Sequence, residues 1–291
     1  MKKILIQLDT DRHPSTFDRI VALDAGADEV LSYGGVTVAD VRPLVLSALF
    51  TRGVPDLRTI AVWIGGSDVS LGEQILAETQ RTFFGPFKVS VMLDSNGCNT
   101  TAATAIAKLV KTGGLQGKKA VVIGIGPVGV RSARLLQQEG CTVVTTTIPP
   151  DLLGERYNPE IVRAAKEAAE QNYGLRVEDP PDVQALERLL DGAHIAVTAG
   201  PAGVRILRED FWGPHPTLEL LLDYNLTEPL GIEGIQPGDD LTERHGKRLL
   251  GPLAVGNSKM KVHKTCVARL FERNDQVFDV TEVYAIAREI V

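Results

Sequence analysis

Short apolar runs alternate with amphipathic stretches along almost the whole chain. Residues 3–8 read as a buried strand, and residues 14–23 as a helix whose Pro14 suits a first turn. A short strand over 30–33 closes at Gly34-Gly35, and residues 39–50 have the helical period. Residues 59–64 are mostly β-branched or aromatic and end at Gly65-Gly66. Asp68 then caps a predicted helix to about residue 84, and residues 88–93 form a further strand. The polar stretch 94–100 leads into a helix over about 100–110. Strands separated by helices of this length predict βαβ units and a parallel sheet.

The polar, glycine-rich segment 111–118 reads as a domain boundary, after which the pattern restarts. Strands are expected over 120–123, 142–147, near 175–177, over 194–198 and over 217–222, with helices over 128–139, 159–173 and 183–190. Residues 231–246 look like an excursion loop, either a lid or a subunit contact. From residue 255 the pattern is helical, over 259–273 and 280–290. The expected architecture is two α/β domains. Residues 1–110 form the first, completed by helices of about 270–291 that pack back on it, and residues 111–269 form the second.

Composition narrows the function. At 291 residues the chain suits two domains of ~150 residues. A formal net charge of −6 argues against a general nucleic-acid binder or a polybasic membrane anchor. No run approaches the ~18 apolar residues of a membrane span, and the first apolar run reaches Asp9 too soon for a signal peptide. Cys98, Cys141 and Cys266 are too scattered for a disulfide framework or a CxxC site, and the five histidines form no HExxH pair. A cytoplasmic enzyme or binding protein without a metal is expected.

Gly124-Ile125-Gly126-Pro127-Val128-Gly129 matches GxGxxG between a predicted strand and a predicted helix. Gly124 permits the tight turn, Gly126 lets the backbone approach a pyrophosphate, and Gly129 lets helix and strand pack closely. Pro127 and Val128 open the helix, whose N-terminus favours phosphate. The acid that usually ends the next strand is missing; Thr145, Thr146 and Thr147 stand there instead. Three hydroxyls leave room for a 2′-phosphate that Arg131 would neutralise, a pattern leaning to NADP, although threonines are also ordinary strand residues. Thr198, Ala199 and Gly200 end a later strand of the same domain, where a nicotinamide ring would lie. Asp9 and Asp11 follow the first strand, at its carboxyl end where a cleft would lie, and are placed either to contact a ligand or to cap a helix. Asn96 and Asn99, in a polar strand-to-helix loop, are expected to line the cleft, and Asp223 with Asn225, at the end of the last strand of the second domain, is placed to face either ligand.

Several stretches together resemble one family. They are Gln7-Leu8-Asp9-Thr10-Asp11 with Pro14-Ser15-Thr16-Phe17-Asp18, Phe83-Phe84-Gly85-Pro86-Phe87, Leu93-Asp94-Ser95-Asn96-Gly97-Cys98-Asn99-Thr100-Thr101, the glycine loop, Asp223-Tyr224-Asn225 with Pro229-Leu230-Gly231-Ile232, and Lys259-Met260-Lys261-Val262-His263. The chain is similar to the bacterial NAD(P)-dependent methylene-tetrahydromethanopterin dehydrogenases. The resemblance implies a pterin-binding domain, a Rossmann domain and a cleft between them, as in methylene-tetrahydrofolate dehydrogenases. It implies a site of Lys259, His263, Thr101 and Phe17, with Phe17 against the pterin ring. Lys259 and His263, four apart, share a helix face. It also implies a homo-oligomer, dimer or trimer. Ile148 stands where NADP-preferring members carry a basic residue, and Asn257-Ser258 where a glycine pair is usual, so NAD and NADP both remain open.

The implied reaction moves a hydride from the methylene carbon of a one-carbon pterin (tetrahydromethanopterin, with tetrahydrofolate as a second carrier) to NAD(P). Because the substrate's own nitrogens expel the hydride, no general base is required. Two other readings stand beside it. A shikimate-type hydroxy-acid dehydrogenase would need a Lys–Asp pair, for which no match is evident. A non-catalytic dinucleotide-binding regulator would need only the glycine loop.

Overall fold

The computed structural model describes all 291 residues. The chain begins with β1 (Ile4–Asp9), α1 (Thr16–Asp24), β2 (Glu29–Tyr33), α2 (Val38–Leu49), β3 (Ile60–Gly65), α3 (Val69–Thr82), β4 (Ser90–Leu93) and α4 (Cys98–Val110). It continues with β5 (Lys119–Ile123), α5 (Pro127–Gln138), β6 (Thr142–Thr146), α6 (Pro150–Leu153), α7 (Pro159–Tyr173), β7 (Val177–Glu178), α8 (Val183–Leu189), β8 (Ile195–Thr198), α9 (Glu209–Trp212) and β9 (Leu220–Asp223). The antiparallel pair β10 (Asp240–Arg244) and β11 (Lys247–Leu250) follows, then α10 (Pro252–Arg269), β12 (Val277–Phe278) and α11 (Val280–Ile290).

Two compact units result: Met1–Thr100 with Lys259–Val291, and Thr101–Ser258. The divisions fall within α4 and α10, about ten residues before the expected limits of 110 and 269, because each helix continues unbroken through the division.

The first unit holds a parallel five-stranded sheet in the order β12-β4-β3-β1-β2. β3 and β4 are buried throughout, as parallel strands covered on both faces must be. Val41, Val45 and Leu49 of α2 and Ile75 of α3 pack with Leu8, Val62 and Ile64 into one core. Trp63, pointing to the other face of β3, stacks on His263 of α10. Asp68 caps α3 by accepting from Leu71 N, and Asp279 and Glu282 form a capping box on α11. Of the aromatic cluster at 83–87, Phe83 and Phe87 pack against the core while Phe84 is exposed.

The second unit holds a seven-stranded sheet, β10-β11-β9-β8-β5-β6-β7, parallel except at β10. From β5 outward its parallel strands run in the 3-2-1-4-5-6 order of a dinucleotide-binding sheet. The segment 231–246 departs from expectation. It is no free loop: Ile232 and Ile235 are buried in the core beside Trp212 and Leu249, and its end forms the whole of β10. α10 starts at Pro252, earlier than expected, with its proline at the first helical position where the missing N–H costs nothing. No helix is long and apolar enough to cross a membrane.

Candidate active site

In the first unit the chain goes from β1 to β2 on one side and to β3 on the other, so the carboxyl ends of β1 and β3 flank a topological switch point. Ligands of open parallel sheets bind at such points. A cavity of about 260 Å³ lies there. Asp11, Ser15, Phe17 and Asp18 reach it from the β1–α1 segment, Gly66 and Ser67 from the end of β3, Asn96 and Gly97 from the end of β4, and Lys259 from α10. Gly66 has φ +91°, and a Cβ there would strike Thr10.

Asp9 does not face this cavity. It is fully buried, and accepts from the backbone N–H of Asp11 and of Ser15, both at 2.9 Å. It fixes the cavity wall, which corrects its expected contact with a ligand. Asp11 lines the cavity but already accepts from Ser67 N (3.0 Å) and Ser67 Oγ (2.5 Å). Asn96, with φ 51°, also lines it. Asn99 instead is buried and donates to Leu93 O at 2.6 Å and to Asp279 Oδ1 at 3.1 Å, which ties α4 to α11. Thr101 stands half-buried in the first turn of α4 and is not among the cavity-lining residues.

Phe17 is 50% exposed and lines the cavity beside Lys259. His263, one turn beyond Lys259 on α10, is 1% exposed and lies beneath Phe17, with ring centroids 6.1 Å apart. Neither of its ring nitrogens has a hydrogen-bond partner. Burial, assisted by the charge of Lys259, pushes the imidazole down to about 3, so it is neutral at working pH.

Two carboxyl groups missed by sequence reasoning share this electrostatic environment. Burial and the charge of Asp94 raise Asp18 to about 6, against the pull of Ser15 and Lys259. Asp94 is fully buried; desolvation raises it, while Lys259 and the backbone N–H and hydroxyl of Thr100 lower it. A Lys–Asp neighbourhood therefore exists, contrary to expectation. Only tertiary structure reveals it, since residues 18, 94 and 259 are far apart in sequence.

In the second unit the glycine loop occupies the β5/β8 switch point. Gly124 has φ +107°, and a Cβ there would strike Ala199 O; a Cβ at Gly129 would strike Gly124 O. Gly126 faces open space, so its backbone is accessible to a phosphate. Gly126, Pro127, Thr147, Ile148, Ala199 and Gly200 contribute to a cavity of about 370 Å³, which α7 closes with Ile161, Val162 and Ala165. The residues present fit a dinucleotide. Val128 opens α5 directly after Pro127.

Three expectations change here. Arg131 is buried, donates to Pro127 O (3.2 Å) and Tyr173 Oη (3.1 Å), and lies over the Tyr173 ring, so it is not the free cation envisaged for a 2′-phosphate. Thr145, Thr146 and Thr147 are buried and donate to Arg176 O, Thr147 O and the Asp179 carboxylate respectively. Asp223 and Asn225 are internal fasteners. Asp223 accepts from Thr198 Oγ1, Asn225 N and Ile232 N, and Asn225 bonds Pro229 O and Thr227 N.

A family model described as the N-terminal part of methylene-tetrahydromethanopterin dehydrogenase matches residues 16–96. Over 294 residues the chain is 41% identical to the bifunctional protein MdtA of Methylorubrum extorquens, covering 99% of each chain. It is 29% identical to the NAD(P)-dependent methylenetetrahydromethanopterin dehydrogenase of the same organism, again over 99% of each. Among solved structures, the bifunctional methylenetetrahydrofolate dehydrogenase/cyclohydrolase of Campylobacter jejuni shares the fold at TM-score 0.50 and 14% identity, covering 100% of this chain and 90% of that one. Full-length identity of this size and the matched N-terminal segment make the chain a member of the methylene-tetrahydromethanopterin dehydrogenase family.

Proposed function

We propose that this protein oxidises the methylene group of methylene-tetrahydromethanopterin with NAD(P), giving the methenyl form. The observation that carries this reading is the pairing, in one chain of that family, of a glycine loop open at Gly126 with a separate polar cavity walled by Phe17 and Lys259. The bound dinucleotide supplies the hydride acceptor: the methylene C–H bond breaks with its electron pair, which forms the new C–H bond on the nicotinamide, the substrate's two nitrogens share the positive charge, and no proton is released.

In this reading Phe17 packs against the pterin face and Lys259 orients a pterin oxygen. Asp11 and Asn96 offer further polar contacts at the cavity wall. His263, neutral and enclosed, supports Phe17 and Lys259 from beneath and moves no proton. The Gly124–Gly129 turn and the N-terminus of α5 hold the pyrophosphate, with Ala199 and Gly200 beside the nicotinamide. On the sequence resemblance we also read the protein as a cytoplasmic homo-oligomer, dimer or trimer.

One observation favours a second reading, a hydroxy-acid dehydrogenase: Lys259 shares its cavity with Asp18, a pairing suited to proton transfer. The two readings differ in proton balance. In weak buffer with a pH indicator, methylene-tetrahydromethanopterin and NAD or NADP should give reduced nicotinamide and methenyl absorbance with no acidification. Oxidation of a hydroxy acid would release one proton per turnover. Reduction of nicotinamide by a hydroxy acid, with none by the methylene pterin, would refute the proposal.

A further inference from the structure

We propose that Asp18 is the counter-charge of this cavity, a carboxylate that favours the cationic methenyl form of the ligand over the neutral methylene form. The inference rests on assigning the cavity to the pterin, and it goes beyond that assignment by saying which of the two forms the site prefers, and why.

The reaction places a positive charge on the ligand beside a lysine. Left alone, the Lys259 ammonium would oppose the product. The cavity wall carries two carboxylates, and they differ. Asp11 is anchored by both the backbone N–H and the hydroxyl of Ser67. Asp18, in the first turn of α1 directly after Phe17, is half-buried and bonded only to Ser15 among neighbouring side chains. It lines the same cavity as Lys259.

The groups facing Asp18 come from every element around it: Asp9 from β1, Asp94 from the end of β4 and Lys259 from α10, with Ser15 as hydrogen-bond partner. Two of the three charged neighbours are acidic, so the carboxylate is held at a cost that one lysine does not cancel. This is reflected in its rise to about 6, caused first by burial and then by Asp94. An anion held in this way gains when a cation arrives, and gains little from a neutral ligand. Asp18 also sits where an acid suits the N-terminal dipole of α1. That structural role would not distinguish two ligands that differ in charge.

The test is equilibrium binding of methenyl- and methylene-tetrahydromethanopterin to the full-length protein without dinucleotide, for wild type, Asp18→Asn and Asp18→Glu, with folding checked by circular dichroism. Asp18→Asn should weaken the methenyl form by roughly tenfold more than the methylene form, since a charge pair a few ångströms apart near a protein surface is worth at least that factor. Asp18→Glu should recover part of the preference. Wild type should lose methenyl affinity as pH falls from 7.5 to 5.5, whereas Asp18→Asn should be insensitive over that range. Equal weakening of both ligands by Asp18→Asn, or an unchanged pH dependence in that variant, would overturn the inference and leave the pterin assignment standing. Failure of wild type to bind either form would overturn both.

Discussion

The imidazole of His263 lies flat on the indole of Trp63, with ring centroids 4.5 Å apart and planes 1° from parallel. Both side chains are 1% exposed, and Trp63 Nε1 shares with the two imidazole nitrogens the lack of a hydrogen-bond partner. The pair acts as an apolar plate joining α10 to β3, and protonating the imidazole would bury an unpaired charge in it.

Acid sensitivity of the fold follows. Burial lowers His263 to about 3, below the ~6.5 of a free imidazole, so the unfolded chain takes up the proton first. Its contribution to stability is complete above pH 6.5 and is lost as pH falls from 6.5 towards 3. The loss is roughly 3 kcal/mol by pH 4.5. Asp18, being raised, acts with the opposite sign, with stability increasing as pH falls through about 6. The contribution of the histidine is therefore read as a difference between proteins. His263→Phe keeps the stack and removes the titration. Urea unfolding at pH 7 and pH 4.5 should show a smaller acid loss in this variant, and equal losses would contradict the account.

Two glycines of the Gly124–Gly129 turn should separate by function. A Cβ at Gly129 collides with Gly124 O, whereas one at Gly126 meets nothing within 4 Å. Gly129→Val should unfold or severely destabilise the protein. Gly126→Val should fold with near-normal thermal stability and raise KM for NAD(P) at least tenfold, because the side chain fills the space a pyrophosphate would approach. Normal dinucleotide kinetics in folded Gly126→Val would place the cofactor elsewhere.

Much of the fold was legible because its signals are local. The all-buried run of β3, the Asp68 cap and the Pro159 start of α7 each follow from residues adjacent in sequence. The strands β10 and β12 escaped because their residues carry no alternating or continuous apolar pattern; β10 is Asp-Leu-Thr-Glu-Arg and β12 has two residues. The tight turn at Gly124–Gly129 was legible from its glycines, and the family motif singled out Phe17 and Lys259, which the fold brings to one cavity. The site was misread at Asp9, Asn99 and Asp223. A sequence shows that a polar residue ends a strand, but not whether its oxygens are already committed to backbone N–H groups. Asp18 was missed for the converse reason, since its importance lies in Asp94 and Lys259, distant in the chain.

Arg131 should not determine the choice between NAD and NADP. Its guanidinium is spent on Pro127 O, Tyr173 Oη and the Tyr173 ring, all within the protein. Arg131→Met should therefore lower stability by about 1–3 kcal/mol, the usual cost of leaving buried partners unsatisfied. The ratio of kcat/KM for NADP to that for NAD should change less than threefold, a bound well below the ~10-fold that 1.4 kcal/mol of lost charge pairing would produce. A selective loss of NADP activity beyond tenfold would show that the side chain leaves Tyr173 to meet the 2′-phosphate.

Lys259 should set the pH at which the cavity works. Its positive charge favours the anionic form of both Asp18 and Asp94, so removing it raises both further. With the methylene pterin as substrate, the acid limb of kcat/KM in wild type should fall as Asp18 is protonated near pH 6. In Lys259→Met that limb should move to higher pH, and activity at pH 6.5 should fall more than activity at pH 8.5. In the double variant Lys259→Met/Asp18→Asn the displaced limb should disappear, because the titrating carboxyl is gone. A single-variant profile superimposable on wild type after scaling would mean that lysine and carboxyl act independently, and that Lys259 only holds the ligand.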